Sequence, residues 1–257
     1  MLVDSHVHLD RYAAAERSLM LARARAVGVT RFLTIGIDVP SSRRAIQLAA
    51  SEEGVLAAVG VHPLHCDPEP DWLALTALAG QPGVVAIGEI GLDRSVGAPD
   101  FELQIRVFRR CLDLAARLQF PVVIHQQFAI PECLSILADF RRVGDSGASS
   151  TGLLKGVCHY FQGDHDEATR WLSAGYQISV GKPVTRPENR ALRQAVAALP
   201  LSTLLLETDT YPLPDRSTEP ADIWTIAREV AAVKGCRLEN VARTTTSSFN
   251  GLFAQND

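Results

Sequence analysis

Residues 84–93 read VVAIGEIGLD, an apolar run interrupted near its end by one carboxylate, Glu89. A segment that is apolar almost throughout is what a strand shows when both of its faces are covered, as in a parallel sheet flanked by helices. Working outward from it, similar segments recur along the chain and give eight strand candidates, at 2–5, 31–36, 55–61, 84–90, 121–125, 153–159, 176–180 and 203–207. Each is followed by a stretch of helical character, for example ERSLMLARARAVG, SSRRAIQLAASEEG, FELQIRVFRRCLDLAARLQ, DEATRWLSAG, ENRALRQAVAALP and ADIWTIAREVAAVKG. In these the apolar residues return three or four positions apart, the spacing of one buried helix face. Eight strand–helix units with buried strands imply an α/β fold of the (β/α)8 TIM-barrel type. LENVARTTTSSFNGLF adds an extra C-terminal helix.

Punctuation falls at the same boundaries. Ser41 and Ser42 can start the second helix, Gly54 and Gly175 separate a helix from the next strand, and Pro99-Asp100 opens the long fourth helix. Residues 144–152, GDSGASSTG, form a Gly- and Ser-rich connection of αβ type, which belongs on the barrel face opposite the chemistry. With 257 residues and 47 % hydrophobic content, the expectation is a single domain over 1–257. A net charge of −4 argues against a surface built to grip long duplexes, while leaving short or single-stranded substrates at a local site open. Five scattered cysteines without a CxxC pair fit a reducing cytoplasm. The first strand starts at residue 2, leaving no room for a cleavable signal, and no apolar run is long enough for a bilayer, so a soluble cytoplasmic protein without membrane partners is expected. Nothing in the chain sets an oligomeric state, and a monomer is the default.

The chemistry lies at the strand ends. VDSHVHLD places His6 and His8 two residues apart, so both imidazoles can face one side and bind one ion. Asp4 and Asp10 beside them are candidates to orient those rings. Glu89 in an apolar strand is costly to bury alone; a buried salt bridge would answer that, and a carboxylate shared between two cations answers it better. His125 in FPVVIHQQ and His159 in KGVCHYF follow apolar runs in the same way. Asp209, just past LLLET, closes the set, because in a barrel the eighth strand lies beside the first and hence beside His6 and His8. Asp209 can ligate a cation and also accept a proton from water. Cys158, next to His159, should point to the other face of its strand and into the core.

With these stretches, AVGVHP, GYQISVG and NVARTTTSSFNGLF on the page, the chain resembles the TatD family of metal-dependent hydrolases, within the amidohydrolase-like barrels, from residue 3 to 253. The resemblance implies hydrolysis at a divalent metal centre, often of nucleic-acid phosphodiesters, with two cations drawn from Mg²⁺, Mn²⁺ or Zn²⁺. It would have His6, His8, Glu89 and Asp209 hold one ion and Glu89, His125 and His159 the other. Glu89 would bridge the two, with Asp209 taking the proton of the attacking water. His62, in GVHP, would contact the substrate or its leaving group, and reads equally as a loop histidine restrained by Pro63; His65 is a weaker candidate of the same kind. Arg94 and Lys182 sit just after strands four and seven, where they can bind flanking phosphates or simply be surface charges. Three positions depart from the family pattern: Gln127 where an arginine is common, Thr210-Tyr211 ahead of Pro212 where Ala-Pro is usual, and Thr218 where an asparagine often precedes Glu219-Pro220. The expected activity is that of a deoxyribonuclease of 3′–5′ exonuclease type acting on single-stranded or exposed DNA ends. The main alternative is a metal-dependent ester or amide hydrolase, such as an aminoacyl-tRNA deacylase. A non-catalytic binding barrel comes last.

Overall fold

The computed structural model describes residues 1–145, 154–212 and 218–253, without the side chains of 141–145. The strands are β1 (Leu2–Val7), β2 (Val29–Ile35), β3 (Val55–Val59), β4 (Val84–Asp93), β5 (Val122–Gln127), β6 (Gly156–Cys158), β7 (Tyr176–Val180) and β8 (Leu204–Leu206). Helices α1 (Ala14–Ala26), α2 (Val39–Ser51), α3 (Trp72–Ala79), α4 (Phe101–Leu118), α5 (Ile130–Asp145), α6 (His165–Ser173), α7 (Arg190–Ala198) and α8 (Ile223–Lys234) each follow the strand of the same number. A ninth, α9 (Leu238–Phe253), ends the described chain. The strands lie side by side in chain order and every pair is parallel. Closure is made just beyond β8: Val7 pairs with Thr210, Asp209 N donates to His6 O at 2.9 Å, and His8 N donates to Thr210 O at 2.9 Å. The protein is a closed eight-stranded α/β barrel of TIM type.

Two apolar layers hold it together. Outward-facing strand residues and the inner faces of the helices form the larger one, in which α4 contributes Val107, Phe108, Cys111, Leu112 and Ala115 at helical spacing. The barrel interior holds the second, with Val3, Leu33, Ala58, Val85, Val123, Val157 and Leu205 from seven of the strands joined in one cluster. Phe249, Leu252 and Phe253 of α9 belong to that cluster, so the extra helix plugs the bottom of the barrel. Cys158 is fully buried in the outer layer, as its strand parity requires.

Several boundaries differ from the sequence expectation. β4 runs on to Asp93 because its pairing with β5 continues through Leu92 to Gln126 and Asp93 to Gln127. β6 and β8 are shorter than expected; Leu201–Thr203 is a 3-10 turn, and residues 146–153, which hold most of the Gly- and Ser-rich connection and the expected start of β6, lie outside the described residues. α2 does not begin at Ser41. Its cap is Asp38, whose carboxylate accepts from Ser41 N at 2.7 Å while Ser41 returns a bond to the Asp38 backbone. Gly54 and Gly175 do separate helix from strand, at φ of 77° and 86°.

Candidate metal centre

The barrel topology delivers the polar strand ends to one place. His6 is fully buried, and among the described residues neither of its ring nitrogens has a hydrogen-bond partner. Two orphaned nitrogens on a ring without solvent contact are costly unless something else takes the lone pair. Glu89, 3 % exposed, lies at the hub. Its Oε2 faces the β1 histidines, 3.4 Å from His6 Nε2 and 3.9 Å from His8 Nε2. Its Oε1 faces the other way, 2.7 Å from His159 Nε2, 3.0 Å from His125 Nδ1 and 3.5 Å from His62 Nε2. Asp209 Oδ1 completes the first side, 3.8 Å from His6 Nε2 and 3.6 Å from His8 Nε2. One carboxylate thus addresses two separate groups of imidazoles, which is the disposition a bridging ligand needs.

What holds each ring determines what it can do. His8 Nδ1 lies 3.2 Å from Ile35 O, to which it can only donate, so its Nε2 presents a lone pair to the centre. His125 Nε2 is 3.0 Å from Asp93 Oδ2, and His159 Nδ1 is 3.5 Å from Glu207 Oε1. Carboxylates behind ligating imidazoles fix the ring orientation and raise its basicity. His62 is different. Its Nδ1 accepts from Leu64 N at 3.0 Å, so in the neutral ring the proton sits on Nε2. Donor atoms fall within 4.8 Å of one another in three sets, His6, His8 and Asp209; His6, Glu89 and His159; and His62, Glu89 and His125. The bond from Leu64 takes away the lone pair His62 would need as a ligand and makes it an N–H donor beside the carboxylate.

Burial and the neighbouring carboxylates set the protonation of these groups in opposite directions. Burial drives His62 down to about 3, and burial together with His159 lowers His6, so both rings are neutral. Burial works against the charge on Glu89, yet His159 and the other imidazoles hold its pKa well below the ordinary value. Asp209 is likewise lowered despite burial, through its bond to His8. His159 moves the other way, since Glu89 and Glu207 outweigh its burial and raise it well above 6.5, and His125 and His8 are raised despite burial by Asp93 and Asp209, so a cation binding here displaces protons from these three rings. Ionised carboxylates beside imidazoles, around buried nitrogens without partners, fit a binuclear divalent-metal site.

Asp93 and Glu207 are absent from the sequence reading, although both lie in stretches it quotes. Gln104 of α4 grips Asp93 by its backbone, accepting from N at 2.8 Å and donating to O at 3.0 Å. Glu207 is fully buried and accepts from Tyr160 N. The carboxylate-in-an-apolar-run signal that flags Glu89 applies to Glu207 equally. Asp4 and Asp10 do not orient the imidazoles. Asp4 accepts from Thr208 N at 3.0 Å and Thr208 Oγ1 at 2.5 Å, anchoring the end of β8 beside Asp209, and Asp10 pairs with Arg44 at 2.9 Å.

Above the centre opens a cleft of about 970 Å³ lined by His8, His62, His125, His159 and Asp209, with exposed His65 on its wall. Arg94 and Lys182 do not line it. Arg94 lies 2.7 Å from Glu132 and stacks on Phe101, and Lys182 is 3.4 Å from Asp222. The lysine or arginine on the cleft among the described residues is Arg11, exposed and in a 3-10 turn, three residues after His8. No helix among the described residues is long and apolar enough to cross a membrane.

Comparison with known proteins agrees with this architecture. Residues 3–254 match the family described as TatD related DNase. YcfH of Escherichia coli, an uncharacterised metal-dependent hydrolase, is 34 % identical over 98 % of this chain and 95 % of its own length. The 3′-5′ ssDNA/RNA exonuclease TatD of Erwinia amylovora is 31 % identical over 93 % of this chain and 94 % of its own. The crystal structure of YjjV, a TatD homologue from Escherichia coli, superposes with a TM-score of 0.84 at 25 % identity, covering 99 % of this chain and 98 % of that one. This chain belongs to the TatD family of metal-dependent hydrolases.

Proposed function

We propose that the chain is a deoxyribonuclease that hydrolyses phosphodiesters from the 3′ side of single-stranded or exposed DNA ends. The observation that carries this reading is the split environment of Glu89, with one oxygen toward His6 and His8 and the other toward His125 and His159, on the floor of an open cleft. His6, His8, Glu89 and Asp209 would hold one divalent cation, and Glu89, His125 and His159 a second; Mg²⁺, Mn²⁺ and Zn²⁺ all suit such ligands. The chemistry supplied by bound cations is Lewis acidity toward water and phosphoryl oxygens. Asp209, held ionised at the cleft wall, accepts the proton of the attacking water at a carboxylate oxygen. Neutral His62 points its Nε2–H toward the same space and donates a hydrogen bond, keeping its proton, to a phosphoryl or leaving-group oxygen. The exonuclease activity named for the relative at 31 % identity supports the choice of bond and substrate.

The test is turnover of 3′-labelled and 5′-labelled single-stranded oligonucleotides after chelation and return of each metal, with Glu89→Ala as control. Stepwise shortening restored by metal and absent in the variant supports the reading; intact DNA under every metal refutes it. A second reading, hydrolysis of an ester or amide such as an aminoacyl ester on transfer RNA, is favoured by the scarcity of cations on the cleft and by Gln127 standing where an arginine is common. A panel of small esters and amides in the same assay separates the two.

A further inference from the structure

We infer that Phe128 is the platform on which the base of the substrate's terminal nucleotide stacks, an inference that rests on the nuclease reading. Phe128 follows β5 directly and lies three residues past His125. Three residues of chain reach about 11 Å at most, so the ring is tethered close to the candidate metal centre. It lines the cleft and is 73 % exposed. Its neighbour Ala129 is fully buried, so the turn itself is anchored while the ring is left out.

The position carries two costs without a packing return. A phenylalanine facing water forgoes the burial that normally places it inside. Its backbone sits at φ 54°, in the left-handed region that a side chain with a Cβ disfavours. Among the described residues, Phe128, Tyr160 and Asp209 are three of only four non-glycine residues with positive φ, and all three line this cleft. Strain concentrated at one mouth points to function rather than to stability. The rim is also poor in cations, with Arg11 supplying its fixed positive charge, so contacts along many phosphates are not what selects the substrate here. Aromatic faces bind single strands by stacking on bases whatever their sequence. Phe128 offers such a face, with Leu64, 42 % exposed, the other exposed large apolar side chain on the cleft among the described residues.

The experiment compares the Mn²⁺-loaded protein with Phe128→Ala and Phe128→Trp on two oligonucleotides, one with a normal 3′-terminal base and one ending in an abasic residue. A second readout, with turnover suppressed, follows the fluorescence of a 3′-terminal 2-aminopurine on binding to Asp209→Asn protein with and without Phe128→Ala. Stacking predicts that Phe128→Ala lowers kcat/KM on the normal end by about tenfold, mostly through KM, that Phe128→Trp restores it, and that the abasic end is cut equally by all three. It also predicts quenching of 2-aminopurine that Phe128→Ala abolishes. Phe128→Gly, which relieves the positive φ, should raise the thermal midpoint while losing the same activity, separating contact from folding. Equal cleavage of both ends by wild-type protein and Phe128→Ala, with quenching unchanged, overturns the stacking role and leaves the nuclease reading standing. Absence of DNA cleavage by wild-type protein overturns the nuclease reading and this inference with it.

Discussion

Replacing Glu207 with glutamine removes one buried negative charge and almost no volume. Glu207 is fully buried, accepts from Tyr160 N and faces His159 Nδ1 at 3.5 Å. Glutamine keeps an oxygen for Tyr160 N, so the variant isolates charge from hydrogen bonding. Two full charges at that separation interact by roughly 5 kcal/mol at an effective dielectric near 20. A ligating imidazole takes on only part of a charge, and about a third of the full value is roughly 1.6 kcal/mol, or somewhat over tenfold in affinity. Loss of an orienting carboxylate typically costs roughly 10- to 100-fold in metal affinity, in the same range. The assay is competition for Zn²⁺ or Mn²⁺ against a chromophoric chelator, alongside the melting temperature of the metal-free protein. Weaker binding of one equivalent of metal, with the metal-free melting temperature kept within a few degrees, is expected. Unchanged affinity for both equivalents would show that Glu207 does not act on the metal through His159.

Asp209→Asn should retain metal and lose turnover by roughly 10²- to 10⁴-fold, the range of general-base catalysis, read by kcat and metal content on one sample; wild-type turnover with metal bound would remove Asp209 as the base. Arg11→Ala should weaken oligonucleotide binding and reduce the slope of log Kd against log salt by about 0.7, whereas Arg94→Ala, already paired with Glu132, should leave that slope unchanged. Gly91→Ala places a Cβ 1.9 Å from His125 O at a residue with φ 149°, so it should displace β5, cost about 2 kcal/mol or more, and lower metal content. Alkylation of the folded protein by iodoacetamide near pH 8 should label half-buried Cys236 first, since burial pushes the Cys111 thiol up to about 12 and raises those of Cys133 and Cys158; the modified peptide is read by mass spectrometry.

Much of the barrel is legible because its strands cannot hide. VVAIGEIGLD and LLLE have no polar face, and such strands belong in a parallel sheet covered on both sides. The same apolar background exposes His125, His159 and Glu89 as residues needing a reason to be buried, and strand order alone sets Asp209 beside His6 and His8. The sequence says less about partners across the sheet. That Asp93 faces His125, or that Asp4 serves Thr208 rather than an imidazole, depends on registers and bulges that side-chain period does not specify. Loops are harder still. Arg94 and Lys182 do follow the correct strand ends, but nearby carboxylates engage them off the cleft, while Arg11 and Phe128, which line it, carry no local signal in the chain.

The most direct test of the account is anomalous diffraction from crystals of this protein soaked in Mn²⁺. Two peaks are predicted, one among His6, His8 and Asp209 and one between His125 and His159, with Glu89 contacting both and His62 contacting neither. A single peak, or a pair that leaves Glu89 outside the coordination sphere, would contradict it.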